Sequence, residues 1–266
     1  MSSILRPTAA QKTRRLIVLA AAVFAIVVGY SQTLMGWGQS PAEFSADSDA
    51  NLRVAGYAFS IWGVIYLGLL IYAVRQALPA TGESDLITRL GWPSAIAMLA
   101  IGWWVVAAAF DWEIGTIVLI FGALLVLLVP LLAQARTIRA LPRKDRDLWL
   151  VAWPLALLAG WLTVAAPVNL ITVATGNGWL PESPDPTLWS MAAIALVAVV
   201  ALAVTAQLRM LAYALPIAWG LLGVFVAEQE RGSGMLAYVA LAASAAVLIG
   251  AVMLTFRLKP SVERTT

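Results

Sequence analysis

The sequence predicts an all-α polytopic membrane protein with eight transmembrane helices. Three observations carry that prediction. Of 266 residues, 62% are hydrophobic and only 12% are charged, more apolar surface than a soluble domain of this size has interior to hide. The charges fall almost wholly in gaps between apolar blocks of about 20 residues, the length that crosses a hydrocarbon core. Counting the blocks as spans also sorts the basic residues onto one side of the membrane.

Residues 1–15 form a basic leading segment, and the first span covers roughly 16–36. "RPTAAQKTRR" before an apolar stretch imitates a signal peptide. The stretch is too long for a signal core and no small-residue cleavage site follows it, so it reads as a retained span. The second span, 55–74, opens with "AGYAFSIWGVIYLGLL". The third and fourth cover 91–110 and 114–133, with Asp111, Trp112 and Glu113 between them, and the fifth covers 149–172. The sixth (187–206) and seventh (210–227) are separated only by "QLRM". As one helix they would run about 60 Å, twice the hydrocarbon thickness, so the chain must turn back near Arg209. The eighth span, 235–256, precedes a tail at 257–266. The longest outer segments, 37–54 and 173–186, are rich in Pro, Gly and acids and suit small caps over the bundle.

With the N-terminus in the cytoplasm, 15 of the 17 basic residues lie inside and only Arg53 and Arg231 lie outside. Nine of the 14 acids fall outside. A miscounted span would scramble that partition, so both termini are expected in the cytoplasm. The expected location is a bacterial inner (plasma) membrane.

Cysteine and histidine are both absent. That removes disulfides, thiolate nucleophiles, the commonest general base and the usual haem ligand. No phosphate loop, nucleophile triad or metal cluster appears, so neither a cofactor nor a metal is expected. The sequence pI near 9.4 comes from basic residues dispersed among short loops, which orient a membrane protein rather than bind nucleic acid. No acid lies in the middle of a span, which disfavours a pump or proton-coupled transporter. Asp111 and Glu113 read as boundary residues, with an acid/base pair as the alternative.

The aromatic residues are left to carry the chemistry. Six of the 12 tryptophans, Trp37, Trp92, Trp112, Trp149, Trp179 and Trp189, fall at the headgroup level, where an amphipathic ring is stable. Trp62, Trp103, Trp104 and Trp161 lie two to three turns inward, so they are expected to face protein or a cavity that offers their N–H groups an acceptor. Phe59, Trp62 and Tyr66 share one face of the second span. Trp161, Ala165 and Asn169 follow at steps of four in the fifth. Two readings stay open at this point: tight helix packing glued by Asn169, or an aromatic-lined ligand pocket.

These stretches resemble the tryptophan-rich sensory protein family, also called the translocator or peripheral benzodiazepine receptor family. Its second helix reads F-x-P-V-W-x-x-L-Y; here Phe59, Ser60, Ile61 and Trp62 precede Tyr66, without the motif's Pro and one residue shorter. Its fifth helix carries W-x-x-F-A-x-x-L-N; here Trp161, Ala165 and Asn169 match in register, with Val164 and Val168 for Phe and Leu. In the third helix's N-x-x-W, Trp104 matches and Ile101 replaces Asn. The family's Pro-Pro-x-Trp element before the second helix is missing.

The resemblance covers about 16–172. It implies a five-helix bundle there, with residues 187–256 as a three-helix C-terminal extension. It also implies a cavity beneath the first outer loop, with Phe59, Trp62, Tyr66, Trp104, Trp161 and Asn169 as its ligand-binding residues. The family binds porphyrins, related tetrapyrroles or sterols. The functional expectation is therefore a membrane binding or sensor protein for a flat hydrophobic ligand that is tetrapyrrole-, sterol- or isoprenoid-like, with a transport role open. The alternative is a membrane-embedded enzyme acting on a lipid or isoprenoid, with the binding protein favoured. Expected partners are the small ligand, the lipid bilayer and, for an oligomer, a second copy in a homodimer; no nucleic acid is expected.

Overall fold

The computed structural model of the chain describes residues 7–48, 50–78, 83–181, 183 and 185–256. Eight long apolar helices are joined by short connections, and two short helices lie between them. We label them α1 (Ala9–Met35), α2 (Pro41–Ala46), α3 (Ile61–Ala77, opened by a 3₁₀ turn at Gly56–Ser60), α4 (Asp85–Ala109), α5 (Glu113–Ala133) and α6 (Ala135–Ala140). They continue with α7 (Trp153–Gly176, opened by a π turn at Leu148–Ala152), α8 (Pro186–Leu208), α9 (Leu211–Glu230) and α10 (Gly234–Thr255). The eight long helices answer the eight expected spans one for one. The chain is an integral membrane protein.

The helix ends differ from the apolar blocks for local reasons. Thr8 and Gln11 form a capping box that starts α1 seven residues before its apolar stretch. Ser84 caps α4 through the Ile87 N–H, so the polar "DLITR" belongs to that helix. Hydropathy marks the part in hydrocarbon, whereas the helix continues into the headgroup layer. Between α8 and α9, Arg209 takes left-handed backbone (φ 53°) and donates its N–H to the Thr205 carbonyl. This is the reversal that the length argument requires.

The connections expected on one side of the membrane also meet one another. At the outer end, Gln39 donates to Asp111, Asn177 to Glu113, Asn51 to Thr187, and Arg231 to the Ala50 carbonyl. At the other end Arg14 and Arg15 share Glu83, and Arg75 pairs with Asp147. Residues 1–6 and the tail 257–266 lie outside the described residues.

The centre of the bundle is made of α4, α7 and α9, which bury 61–67% of their most apolar windows, against 28–33% for the other five long helices. Between lipid-like side chains there is little hydrophobic drive, so helices associate where small residues let backbones approach. Gly160 of α7 lies against the Tyr213 carbonyl of α9, and Gly220 of α9 lies against Val164. Gly223 of α9 receives Ala58 and Val54 from the segment leading into α3, where the Ala55 N–H donates to the Gly223 carbonyl at 3.0 Å. Helix α10 packs on α9 and α8, and α8 packs on both α9 and α7. The seventh span therefore packs on the fifth and touches the entrance to the second without separating them.

Candidate functional site

The first outer segment folds down rather than out. "QSPAEFSA" supplies Ser40 as N-cap, Pro41 at the first helical position and Glu43 to close a capping box, giving α2. The Ser40 N–H and hydroxyl beside the Glu43 carboxyl hold its pKa below the usual carboxylate value. Phe44 and Ser45, buried on the inner face of α2, form a roof.

Beneath that roof lies an aromatic cavity of about 40 Å³. Phe59 and Trp62 line it from the start of the second span, Trp104 from α4, and Trp161, Val164 and Asn169 from α7. Phe44 meets Trp104 edge-on at 6.1 Å between ring centres. Phe59 and Trp62 each meet Trp161 edge-on, at 6.0 and 6.2 Å. Such pairs are worth about 0.5–1.5 kcal/mol each beyond their burial.

Of the six expected site residues, five line this cavity: Phe59, Trp62, Trp104, Trp161 and Asn169. Tyr66 does not. It meets Trp62 in a tilted pair at 5.2 Å and lines a second chamber of about 450 Å³ between α1 and α3. Phe59, Trp62 and Pro41 form the wall common to both compartments. On the far side of the chamber Tyr30 of α1 meets Tyr66 at 5.8 Å and is 46% exposed, so the chamber opens at the outer rim of the bundle.

Asn169 is 4% exposed. It accepts the Trp104 indole N–H at 3.0 Å and donates to the Thr116 hydroxyl at 3.0 Å, tying α4, α5 and α7 together. It also lies deeper than its apolar block suggests. Helix α7 continues to Gly176, seven residues beyond Asn169, or about 10 Å at helical rise. Trp103 departs from expectation. It is 54% exposed beside Phe24 and faces outward, because its neighbour Trp104 occupies the inner face of α4.

Asn169 thus accounts for the Trp104 N–H, but other polar atoms of the cavity wall have no partner. The Trp161 indole N–H and the hydroxyls of Ser45 and Thr172 are buried and make no hydrogen bond among the described residues. Leaving such a group unsatisfied costs about 1–3 kcal/mol. Three of them converge on one small aromatic cavity. Among the described residues no Asp, Glu, Lys or Arg lines either compartment. Asp111 and Glu113, the acid/base candidates, are engaged by Gln39 and Asn177 and line neither.

Sequence reasoning did not single out Pro41, Phe44 and Ser45 of the roof, Thr172, Gly220 of α9, or Tyr30 and Gly29 of the chamber. The S-x-x-E pattern at Ser40 was a signal for a helix there. Nothing along the chain places Gly220 opposite Val164.

No curated protein and no solved structure matches the chain. One family model, described as TSPO-like protein, matches residues 14–253. The match runs from α1 into α10 and so takes in the last three spans as well as the first five. The chain belongs to the TSPO-like protein family.

Proposed function

We propose that the protein binds a flat hydrophobic ligand in the outer half of the membrane, across the chamber and the aromatic cavity, as a binding or sensing protein. The observation that carries this reading is the set of three unpartnered polar atoms, on Trp161, Ser45 and Thr172, in a wall otherwise made of rings and aliphatic groups. A pocket of apolar walls with a few convergent polar groups is the usual form of a small-molecule site. The volumes divide the work. At about 40 Å³ the inner cavity holds two or three waters and no ring system, whereas about 450 Å³ accepts a fused-ring body. The body of the ligand rests in the chamber against Tyr30, Tyr66 and Trp62. One polar end reaches past Phe59 and Trp62 to the Trp161 N–H when those rings turn.

The uncharged lining selects among flat ligands. Protoporphyrin carries two carboxylates, and a carboxylate buried without a partner is expensive. A neutral sterol or isoprenoid with a single carbonyl or hydroxyl fits better. The same lining disfavours the enzyme reading, which needs acid/base groups at the ligand. The test uses purified protein in nanodiscs, with energy transfer from tryptophan to a fluorescent sterol and quenching by protoporphyrin and by a carotenoid. The neutral ligands are expected to bind at least tenfold more tightly than protoporphyrin. Trp161→Leu is expected to weaken sterol binding about tenfold, through loss of one ring contact and one hydrogen bond. Tight protoporphyrin binding that survives Trp161→Leu would place the ligand elsewhere.

The protein is further proposed to sit in a bacterial inner membrane with both termini in the cytoplasm, the orientation resting on the 15-to-2 division of basic residues. Reporter fusions after residues 45, 112, 180 and 231 are all expected to report the outer face. A single clear cytoplasmic signal among them would overturn this orientation.

A further inference from the structure

At the basic end of the bundle, away from the aromatic cavity, α5 stops at Ala133, and Gln134 leaves the helical conformation while still donating its N–H to the Pro130 and Leu131 carbonyls. The chain then forms the six-residue α6, which packs against α8. Between the end of α5, α6 and the end of α8 lies a groove of about 410 Å³. Its apolar lining is short, with Leu132, Ala133, Ala135 and Ala206. Its rim carries Arg136, Arg139 and Gln207.

The two arginines are three residues apart and so project from one face of α6. Both are exposed, and among the described residues neither has a carboxylate within ion-pair distance. Three arginines at this end are paired within the protein, Arg14 and Arg15 with Glu83 and Arg75 with Asp147; what sets Arg136 and Arg139 apart from the remaining basic residues there is that both line one groove. No acid lines the groove. Two unopposed guanidinium groups match the oxygen geometry of a phosphate diester.

We propose that this groove seats the headgroup of an anionic phospholipid. The phosphate would lie between Arg136 and Arg139, with Gln207 on the glycerol and the first acyl carbons over Leu132 and Ala135. A lipid is favoured over a free phosphate because the groove lies between the ends of two membrane-spanning helices and half its lining is apolar, which a free anion leaves unused. Basic residues at a membrane surface each contribute about 1 kcal/mol toward anionic lipid, so two of them correspond to roughly thirtyfold in affinity.

The test is native mass spectrometry of the full-length, delipidated protein titrated with phosphatidylglycerol or phosphatidylcholine. Phosphatidylglycerol is expected to be retained in preference to phosphatidylcholine. The double variant Arg136→Gln, Arg139→Gln is expected to lower its affinity at least tenfold. The pair Arg143→Gln, Lys144→Gln, on the same side of the membrane but outside the groove, is expected to leave it within about twofold. Equal losses from both pairs would reduce the site to diffuse surface charge and overturn it. An unchanged affinity in the groove variant, or displacement of the lipid by millimolar glycerol phosphate, would overturn it too.

Discussion

Gly160→Ala is expected to destabilise the protein by several kcal/mol although it adds a single methyl group. A Cβ at position 160 would lie 2.0 Å from the Tyr213 carbonyl oxygen, 3.0 Å from its carbonyl carbon and 2.8 Å from Pro216 Cγ. Two of these three atoms are backbone, so no rotamer change relieves the clash; α7 and α9 must move apart. Close to the same spot the Tyr213 hydroxyl and the Thr163 hydroxyl are 2.8 Å apart, and Tyr213 is fully buried. Separation would open that bond in an environment without water. Overpacking alone costs typically about 1–3 kcal/mol, and a lost buried hydrogen bond adds about 1 kcal/mol. Gly122 is the internal control. Nothing lies within 4 Å of its would-be Cβ, so Gly122→Ala is expected to be neutral or to stabilise by about 0.5–1 kcal/mol, as Ala does over Gly within a helix. Thermal unfolding of both variants in one detergent gives the comparison. A Gly160→Ala midpoint equal to that of Gly122→Ala would show that α7 and α9 are not held at the described distance.

Position 160 also shows where sequence reasoning stops. The eight spans were legible because the bilayer imposes one length on every crossing and one sign on most of the loops. Asn169 and the three inward tryptophans Trp62, Trp104 and Trp161 were legible for the same reason, since a polar atom in hydrocarbon must be answered by protein or ligand. Which partner answers it was not legible. Asn169 looked able to meet a ligand, yet Trp104 and Thr116 occupy its amide, and Thr116 lies 53 residues away on another helix. Trp161, by contrast, keeps a free N–H. Tyr66 shares a helical face with Trp62 but is four residues further along, which carries it past the common wall into the chamber. Periodicity gives a face; the neighbour across that face depends on how helices distant in sequence cross. The contribution of α9 was hidden in the same way, because Gly220 and Gly223 advertise no function until they are seen against the cavity wall and the segment before α3.

That second contact is the basis of the other large effect. Glu228, near the outer end of α9, is fully buried. One of its oxygens accepts the Arg53 backbone N–H at 3.1 Å and the Arg231 guanidinium at 3.3 Å, while Arg231 also donates to the Ala50 carbonyl at 2.7 Å. Two turns inward, the Trp219 indole N–H donates to the Ala58 carbonyl at 2.9 Å. Residues 50–58 are thereby bound along α9 at both ends, and this stretch brings Val54 and then Phe59 to the cavity. Removing the carboxylate leaves the part-buried Arg53 backbone N–H without this acceptor and takes from Arg231 its ion-pair partner. Charge-assisted bonds are worth about 1.5–3 kcal/mol each. Because Arg231 is 30% exposed and can rehydrate, the upper end is discounted, and Glu228→Ala is expected to cost about 2–4 kcal/mol. The cost is expected to fall locally. Amide hydrogen exchange at Arg53 and Ala55 should rise by about two orders of magnitude, with α4 and α5 unaffected. Glu228→Gln keeps an oxygen acceptor for the Arg53 N–H and loses only the charge, so exchange there should rise less than tenfold. Sterol binding should follow the exchange, falling in Glu228→Ala and largely kept in Glu228→Gln, because the wall formed by Val54 and Phe59 is set by the same anchor. If both variants exchange like the parent protein at Arg53 and Ala55, the outer segment is held by α2 and its own turns, and α9 is only a neighbour of the site.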